Sequence, residues 1–426
     1  MDTLTSTKSD LRFIHLADTH LGLNWPPIGK KTDIQIPIYG KAFAAIIEAA
    51  LKNQVDFVVH GGDLVDRPRP PTAAWSRILE ELPKLKKAGI PFFVAPGSHD
   101  KPESYFDKAG GDILQILEKR LGLVQRVDVG TEPINFETKS GKKVIVFGLG
   151  DHGSNQEEEF LKLKGNMRGG SEFKILIMHG SVTSQPNLVG PALKSETIQE
   201  IFSRGLIDYV ALGHNHRQWE HKQTHIYNPG SPEITSFADA PTISYNWTEN
   251  AGIQEDTRET IKHGYYDVQV TGEITNANFV PILTRDVKSI KINFQNAKPA
   301  EVTEAAKETI SKNVSTQAII RPVLTGTLHP SSSKTEIDIH GILSLREKML
   351  YLDYPLMTFD RTGGQIEFSN TSDLQVILQT YFKSVNSQTS QDLSNLTMKI
   401  LKIYEKKLKT AHQEALEIID EWKQTK

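Results

Sequence analysis

Five short polar clusters in the first half of the chain contain side chains of the kind that bind metal ions. Each follows a run of apolar residues: Asp18-Thr-His20, Gly61-Gly-Asp63, Gly97-Ser-His99-Asp100, His179-Gly180 and Gly213-His214-Asn-His216. Carboxylate and imidazole ligands without thiolate suit manganese, iron or zinc better than calcium. The six candidate ligands are more than one catalytic ion needs: Asp18, His20, Asp63, His179, His214 and His216. Two ions sharing a carboxylate would hydrolyse a phosphate ester.

Taken one at a time, these motifs are weak evidence. An Asp-x-His after a strand is more often a turn with a capping Asp, a lone His at a strand end is more often a hydrogen-bonded core residue, and Gly-Gly-Asp is compatible with a simple tight turn. Gly213-His214-Asn-His216 is stronger, because alternate residues of an extended segment point the same way. The conjunction of all five clusters indicates the metal site.

The elements that must position these clusters are buried strands alternating with helices. Six brief apolar runs predict strands at residues 13–17, 56–60, 91–95, 143–147, 174–178 and 208–212. Apolar residues on one helical face predict helices over residues 43–51 and 75–85, the second kinked at Pro83. This pattern predicts an α/β layered domain, in which functional groups collect beyond the carboxyl ends of the strands.

After about residue 240 the pattern changes to a small α+β domain. A hairpin at residues 265–283, a strand at 289–294, a helix from Pro299 to Lys312 and a strand at 318–324 are predicted. The predicted division is a flexible N-terminus at 1–10, a catalytic domain at 11–240, a second domain at 241–345, an unassigned piece at 346–383, a polar linker at 384–395 and a helical segment at 396–426. The last helix has one apolar stripe with Tyr404 and Trp422 as predicted anchors for a partner.

Composition limits the class of protein. The chain has 426 residues, 24% of them charged and 38% apolar, which excludes a fibrous or wholly disordered protein and favours two or more domains. It has no cysteine, so thiolate sites and disulfides are excluded. A net charge of −3 gives no overall attraction for nucleic acid, so any DNA binding depends on local basic groups and metal ions. Because the N-terminus lacks a signal-peptide core, we expect a cytoplasmic, nucleoid-associated protein without a membrane span.

The ordered motifs resemble those of a known family. Asp-x-His, Gly-Asp-x-x-Asp, Gly-Ser-His-Asp, His-Gly and Gly-His-x-His resemble the calcineurin-like metallophosphoesterase superfamily over residues 12 to about 240. Three longer segments resemble the SbcD family of double-strand-break repair nucleases, the Mre-eleven type of archaea and eukaryotes: residues 15–22, 62–70 and 228–233. The resemblance implies a β-sandwich flanked by helices, a capping domain at 241–345, a homodimer, two manganese ions, and a C-terminal helix that docks an SbcC-type ATPase.

The resemblance also implies a role for each matched residue. Asp18, His20 and His216 would hold the first ion, Asp63 would bridge both ions, and His179 and His214 would complete the second. His99 would be the catalytic residue, contacting the phosphate or helping the leaving oxygen depart, with Asp100 as its orienting partner.

Ser98 departs from the family pattern. It stands where the family has an Asn whose amide oxygen binds the second ion, and a hydroxyl is a shorter and poorer ligand, so we expect that ion to be weakly held. Asp66 stands where many archaeal and eukaryotic relatives have His, although bacterial members commonly have Asp there.

Two other functions stay open on the sequence. A phosphoesterase for small phosphate esters would leave residues 241–426 unexplained, and a weakened DNA-end-binding subunit of the same complex is motivated by Ser98. A purely structural protein is a poor alternative, because six ligand-type residues at strand ends have no packing reason to be there. DNA contacts are expected to involve the backbone without base readout. Four further histidines match no family ligand position and receive no role: His60, His152, His221 and His225.

Overall fold

A computed structural model describes residues 10–23, 40–102 and 112–360, apart from residues 187, 189 and 191, together with Thr397. The chain divides into two compact units. Unit 1 comprises Met1–Pro241, Glu259–Lys288 and Gln317–Ile319, and unit 2 comprises Thr242–Arg258, Ser289–Thr316 and Ile320–Lys426. The N-terminal segment up to residue 9, the predicted linker at 384–395 and the predicted partner-binding helix at 396–426, Thr397 excepted, lie outside the described residues.

The described chain contains twenty strands. They are β1 Leu11–Leu16, β2 Phe57–His60, β3 Phe92–Val94, β4 Gln125–Arg126, β5 Ile134–Glu137, β6 Lys143–Leu149, β7 Phe173–His179, β8 Ser181–Val182, β9 Ala192–Leu193, β10 Tyr209–Gly213, β11 Trp219–His221, β12 Ile226–Asn228, β13 Thr242–Thr248, β14 Gly252–Arg258, β15 Gly264–Thr271, β16 Ile274–Pro281, β17 Val287–Ala297, β18 Ile319–Leu328, β19 Tyr351–Leu352 and β20 Leu356–Asp360. All six strands predicted for the first half are present as β1, β2, β3, β6, β7 and β10.

Seven α-helices are described. They are α1 Lys41–Lys52, α2 Thr72–Ala88, α3 Ile113–Gln115, α4 Gln156–Asn166, α5 Ser195–Ser203, α6 Pro299–Lys312 and α7 Ile339–Leu343. A π-helical turn at Ile116–Arg120 continues α3, and 3-10 turns occur at Gly153–Asn155, Lys222–Thr224, Lys334–Glu336 and Ser344–Lys348. Helix α2 continues through Pro83. None of the described helices is long and apolar enough to span a membrane.

Unit 1 is a four-layer α/β sandwich, which confirms the predicted fold class. One six-stranded sheet has the order β16-β15-β1-β2-β3-β4, and the other has the order β11-β12-β10-β7-β6-β5. Phe43 of α1 and Ile78 of α2 pack on one sheet, while Phe160 of α4 and Ile198 of α5 pack on the other. The inner faces of the two sheets share a separate apolar core. Both sheets are therefore covered on each face, as their continuous apolar strands require.

Aromatic side chains dominate the core between the two sheets. Phe13 of β1 stacks on Phe57 of β2 with 4.9 Å between ring centroids and meets Tyr209 of β10 edge-on at 5.1 Å. His15 is fully buried in the same layer, with Nδ1 3.0 Å from the Tyr209 hydroxyl and Nε2 2.9 Å from the Leu212 carbonyl oxygen. Large rings with matched edges and faces fix the separation of the two sheets.

The hairpin β15–β16 differs from the expected domain division. We expected it in the second domain, but β15 pairs antiparallel with β1, with Leu11 opposite Val270, and it belongs to unit 1. Tyr266, Val268 and Val270 of β15 contribute to the core between the sheets. The physical reason is burial: five of the six residues of β1 are buried, so the backbone N–H and C=O groups along its open edge need a partner strand.

Unit 2 contains a separate mixed sheet. Its order is β14-β13-β17-β18-β19, and β20 also pairs with β18. Strands β13 and β17 are parallel, with Tyr245 opposite Ile292. Helix α6 has the bounds that the sequence predicted. Its Val302, Ala306 and Ile310 are fully buried, which is the spacing of one helical face.

Candidate metal centre

The candidate ligands lie at the ends of four strands in unit 1. Asp18 and His20 follow β1, and Asp63 follows β2; His179 is the last residue of β7, and His214 follows β10. The pairings of β1 with β2 and of β7 with β10 are parallel. Carboxyl ends of parallel strands meet at one edge of a sheet, so each sheet presents its ligands together.

One group of potential ligands contains Asp18, His20 and His216, whose ligand atoms all lie within 4.8 Å of one another. The Nε2 atoms of the two imidazoles are 3.1 Å apart. Nδ1 of His216 lies 3.0 Å from Oδ2 of Asp239, and Nδ1 of His20 lies 3.7 Å from Oδ1 of Asp66. A carboxylate beside Nδ1 favours the proton on that nitrogen and leaves Nε2 with its lone pair, ready to bind a cation.

A second group contains Asp18, Asp63 and His179, all three buried. Nδ1 of His179 lies 2.8 Å from the carbonyl oxygen of Gly61 and donates to it. Nε2 is buried, makes no hydrogen bond within the described structure, and lies 3.3 Å from Oδ2 of Asp63. Buried polar atoms in folded proteins nearly always have a partner. A cation held between this nitrogen and the carboxylates would supply it.

The electrostatics of this group also favour a cation. Burial opposes charge on His179, but the carboxylates of Asp63 and Asp18 raise the pKa of its imidazole to about 10. Burial likewise opposes charge on Asp63, yet the surrounding imidazoles, chiefly His179 and His20, hold its pKa below the ordinary range. The two carboxylates therefore require a positive charge beside them. A proton on His179 supplies one, and a divalent cation at the same place would supply more.

His99 lies next to these groups on the turn after β3. Its backbone N–H donates to Oδ1 of Asp63 at 2.8 Å, and its Nδ1 lies 2.6 Å from the backbone carbonyl oxygen of Asp66. The ring meets that of His20 edge-on at 4.7 Å, and a third possible ligand group contains His20, Asp63 and His99. The side chain is exposed. His99 is thus held at Nδ1, while its ring stays accessible to a substrate.

Asp100 does not orient His99. Its two carboxylate oxygens accept hydrogen bonds from the backbone N–H groups of Val65 at 3.1 Å and Gly97 at 2.9 Å. Burial raises the pKa of Asp100 to about 6. The carbonyl of Asp66 takes the orienting position that the sequence assigned to Asp100. Asp100 instead ties together the loops that carry Asp63 and His99.

His214 and Ser98 lie less deeply in the centre than the other candidates. The backbone N–H of His214 contacts both carboxylate oxygens of Asp18, at 2.9 and 3.0 Å, and its ring lies 5.1 Å from that of His179. Its side chain is half-buried and lies outside the three ligand groups found among the described residues. Ser98 is exposed on the same turn as His99. Of the predicted metal ligands, the structure therefore brings five together in groups that could hold an ion: Asp18, His20, Asp63, His179 and His216.

Backbone strain concentrates at this centre. Asp18, His20, Asp63 and His214 have positive φ angles of 52°, 41°, 55° and 85°. They are four of the seven non-glycine residues with positive φ in the described chain. Such conformations cost about 1–3 kcal/mol each and persist where the surrounding structure imposes them, most often at functional sites. No sequence pattern announces this strain, although Asp tolerates the left-handed region better than most residues.

Sequence reasoning did not find several residues that hold the candidate ligands in place. Thr235 and Asp239 both contact Nδ1 of His216, at 2.9 and 3.0 Å. Burial by itself would raise the pKa of the Asp239 carboxyl, but the hydrogen bond to the His216 imidazole outweighs this effect and lowers the pKa to about 2. His60, to which we gave no role, accepts the N–H of Gly62 at 3.1 Å and so holds the loop before Asp63. The only available signal was that Asp239 and His60 lie near strand-end motifs in the sequence.

Residues 11–218 match the family model described as calcineurin-like phosphoesterase. The chain is 24% identical to the DNA double-strand break repair protein Mre11 of Saccharolobus solfataricus, over 92% of this chain and 94% of that one. It is 25% identical to the Mre11 protein of Sulfurisphaera tokodaii over 76% of each chain, and 23% identical to that of Thermoplasma acidophilum over 91% and 93%. Residues 11–218 therefore form a calcineurin-like phosphoesterase domain, and along most of its length the chain is similar to Mre11 proteins.

This family membership implies a hydrolase that binds divalent metal. The donor set fits such an ion, because two buried carboxylates lie among imidazoles, and Nε2 of His179, which makes no hydrogen bond, faces the carboxylate of Asp63. Hard oxygen and borderline nitrogen ligands suit manganese, iron or zinc.

Proposed function

We propose that this chain is a two-metal DNA nuclease that hydrolyses phosphodiesters at DNA double-strand breaks. The observation that supports it most strongly is the pair of ligand groups that share Asp18, one of which contains the buried Nε2 of His179, a nitrogen that makes no hydrogen bond and lies 3.3 Å from the Asp63 carboxylate. Relatives named as DNA double-strand break repair proteins align with most of the chain, including the part beyond the phosphoesterase match. A stand-alone phosphoesterase for small esters would not need that second part.

The proposed ligands follow from the two groups. Asp18, His20 and His216 would hold the first ion. Asp63 would serve both ions, because its Oδ2 lies 3.7 Å from His20 Nε2 and 3.3 Å from His179 Nε2. His179 and His214 would bind the second ion, and Ser98 would be its weakest ligand. Two divalent ions, manganese in our proposal, would acidify water and neutralise charge on the attacked phosphate.

His99 is the proposed catalytic residue. Nδ1 of His99 lies 2.6 Å from the carbonyl oxygen of Asp66, which can only accept a hydrogen bond, so Nδ1 is the donor. Nε2 is therefore the ring atom that exchanges a proton or contacts the phosphate. The His99 N–H bond to Asp63 fixes the ring relative to the centre. We expect His99→Ala to abolish cleavage and to leave manganese affinity within about 3-fold of the parent, because the side chain acts on the substrate. A large loss of manganese affinity would make His99 a ligand instead.

The remaining proposals concern partners. We propose that the chain acts as a homodimer with an SbcC-type ATPase that docks the C-terminal segment, and that it contacts the DNA backbone without reading bases. Support comes from the likeness to Mre11 proteins over more than nine-tenths of the chain. Co-purification with such an ATPase, with and without residues 396–426, tests the docking proposal.

The deciding experiment measures cleavage of end-labelled double-stranded and single-stranded DNA by the purified chain with manganese. Asp63→Ala is the negative control, because Oδ2 of Asp63 lies near both His20 Nε2 and His179 Nε2, at 3.7 and 3.3 Å. Manganese-dependent cleavage that disappears in Asp63→Ala supports the nuclease. Hydrolysis of small phosphate esters without DNA cleavage would instead support the small-molecule enzyme.

A weakened DNA-end-binding subunit is the second candidate, favoured by the exposed Ser98 and the peripheral His214. Ser98→Asn adds an amide oxygen near the second ion, and calorimetric titration with manganese counts the bound ions. A parent chain that binds one ion and cleaves nothing, together with a Ser98→Asn variant that binds two and cleaves DNA, would establish this candidate. Two ions and cleavage in the parent would exclude it.

A further inference from the structure

A buried carboxylate outside the candidate metal centre connects the two sheets of unit 1. Asp128 follows β4 in the first sheet, and its Oδ1 accepts hydrogen bonds from the N–H of Gly150 and from the ring Nε2 of His152, each at 2.9 Å. Gly150 and His152 follow β6 in the second sheet. Oδ2 lies 3.4 Å from Nη2 of Arg126. One carboxylate thus joins a strand end of each sheet, at the edge where the ligands lie.

Asp128 is an ionised acceptor in this position. It is 7% exposed. Burial opposes its charge, but the hydrogen bond from His152 and the N–H of Gly150 lower its pKa below the ordinary value. Hydrogen bonds to a charged acceptor are stronger than neutral ones. The His152 ring is therefore held firmly, although sequence reasoning gave this histidine no role.

The segment after β6 touches the loop that carries His99. The backbone N–H of Asp151 donates to the carbonyl oxygen of Pro96 at 2.8 Å, and the ammonium group of Lys101 contacts the carbonyl oxygen of Asp151. Pro96 and Lys101 lie on either side of Ser98 and His99 in the sequence. A displacement of residues 150–152 would therefore be transmitted to the His99 turn.

The same segment also reaches His179. The backbone N–H of His152 donates to Oε1 of Gln156 at 2.7 Å, and Nε2 of Gln156 donates to the carbonyl oxygen of His179 at 3.1 Å. Gln156 is 3% exposed at the start of α4. A continuous set of hydrogen bonds thus runs from Asp128 through His152 and Gln156 to His179, whose buried Nε2 faces the Asp63 carboxylate.

We propose that Asp128, His152 and Gln156 are positioning residues that set the distance between His99, on the first sheet, and His179, on the second. They touch neither substrate nor metal in this proposal. Their role rests on the proposed function, because it concerns the same centre. The loss of a hydrogen-bond partner that orients metal-binding residues typically lowers metal affinity or activity by about 10- to 100-fold.

The test compares His152→Leu, which removes the ring donor, with His152→Gln, which restores an N–H donor of similar reach. We expect His152→Leu to lower manganese affinity in calorimetry and kcat for DNA cleavage by about 10- to 100-fold, with KM within about 3-fold. His152→Gln should recover most of both losses. His221 is a matched control: it is also half-buried and bonds only locally, with Nδ1 2.7 Å from the Thr224 hydroxyl. His221→Leu should change neither quantity.

Two outcomes would overturn the proposal. One is manganese affinity in His152→Leu within about 2-fold of the parent; the other is equal loss in His152→Leu and His152→Gln, which would indicate general destabilisation. If His152→Leu does not fold, Asp128→Asn decides, because it removes the acceptor's charge and must show the same loss. If the parent chain cleaves no DNA, the nuclease proposal fails, and the manganese titration alone still tests the positioning role.

Discussion

Gly97 is the position where the smallest substitution should disturb the centre most. A Cβ atom built on Gly97 would lie 2.0 Å from Oδ1 of Asp63 and 2.2 Å from its backbone nitrogen. Because the second of these atoms belongs to the backbone, a change of the Asp63 rotamer cannot relieve the clash. Oδ1 of Asp63 is also the acceptor for the His99 N–H at 2.8 Å. Gly97→Ala must therefore move Asp63, His99 or both.

The size of the effect follows from these distances. Cβ atoms keep at least 3.0 Å from other heavy atoms, so 2.0 Å must grow by 1.0 Å. A misplacement of about 1 Å at a catalytic centre costs about 100-fold in rate. Forcing an extra methyl group into a filled space costs about 1–3 kcal/mol of stability. We expect Gly97→Ala to cleave DNA at least about 100-fold more slowly than the parent chain and to bind manganese more weakly, while unit 1 stays folded.

The assay pairs cleavage rates and manganese calorimetry with urea unfolding. Gly165→Ala is the matched control, because nothing lies within 4 Å of its added Cβ and the residue lies inside α4. Replacing glycine with alanine within a helix stabilises by about 0.5–1 kcal/mol, so this variant should keep full activity. Full cleavage and unchanged manganese affinity in Gly97→Ala would refute the placement of Asp63 against the His99 turn.

Two further predictions concern stability. Phe13→Ala should lower the free energy of unfolding by about 3–5 kcal/mol in urea titrations, because Phe13 is fully buried between the sheets. The control Leu79→Ala, at a 48% exposed position, should change the free energy of unfolding by less than about 0.5 kcal/mol. Equal effects of the two substitutions would contradict the placement of Phe13 in the core. Burial lowers the pKa of His15 to about 3, so the unfolded chain binds a proton that the folded chain rejects below pH ~6.5. The contribution of His15 to the stability of the metal-free chain should therefore be complete above that pH and fall by up to about 1.4 kcal/mol per pH unit on acidification. Urea unfolding of the parent beside His15→Gln isolates this contribution, and a difference between the two that stays flat from about pH 6.5 to about pH 5 would show that His15 is protonated in the fold.

The strands and most candidate ligands could be predicted because both have local signatures. An apolar run such as Lys174-Ile-Leu-Ile-Met ends in His179 in the sequence itself, and β7 is buried along its whole length. Parallel pairing then brings such ends together without further information. Asp18, Asp63 and His179 therefore follow from the sequence, whereas His214 and Ser98 could not be ranked from it, because ring and turn placement depend on loops from other strands.

What the sequence did not indicate depends on pairings between distant residues. Strand β15 joins β1 across more than 240 positions, and nothing near Tyr266 indicates that partner. Asp239 bonds His216 from the end of a long loop, and His152 acts through Asp128 and Gln156. No sequence motif marks these residues, because their roles depend on partners that come close only when the two sheets pack together.

The strained backbone at the centre links metal binding to stability. Four residues with positive φ, at about 1–3 kcal/mol each, and two buried carboxylates make the metal-free centre unfavourable by itself. The aromatic layer around Phe13 and Tyr209 lies between the same two sheets and must offset that cost. A bound ion would reduce the repulsion between Asp18 and Asp63, and any ligand that binds only the folded state adds RT ln(1 + [L]/Kd) to stability. Core packing and metal binding thus stabilise the same arrangement of sheets, so a loss in either one makes the chain more dependent on the other.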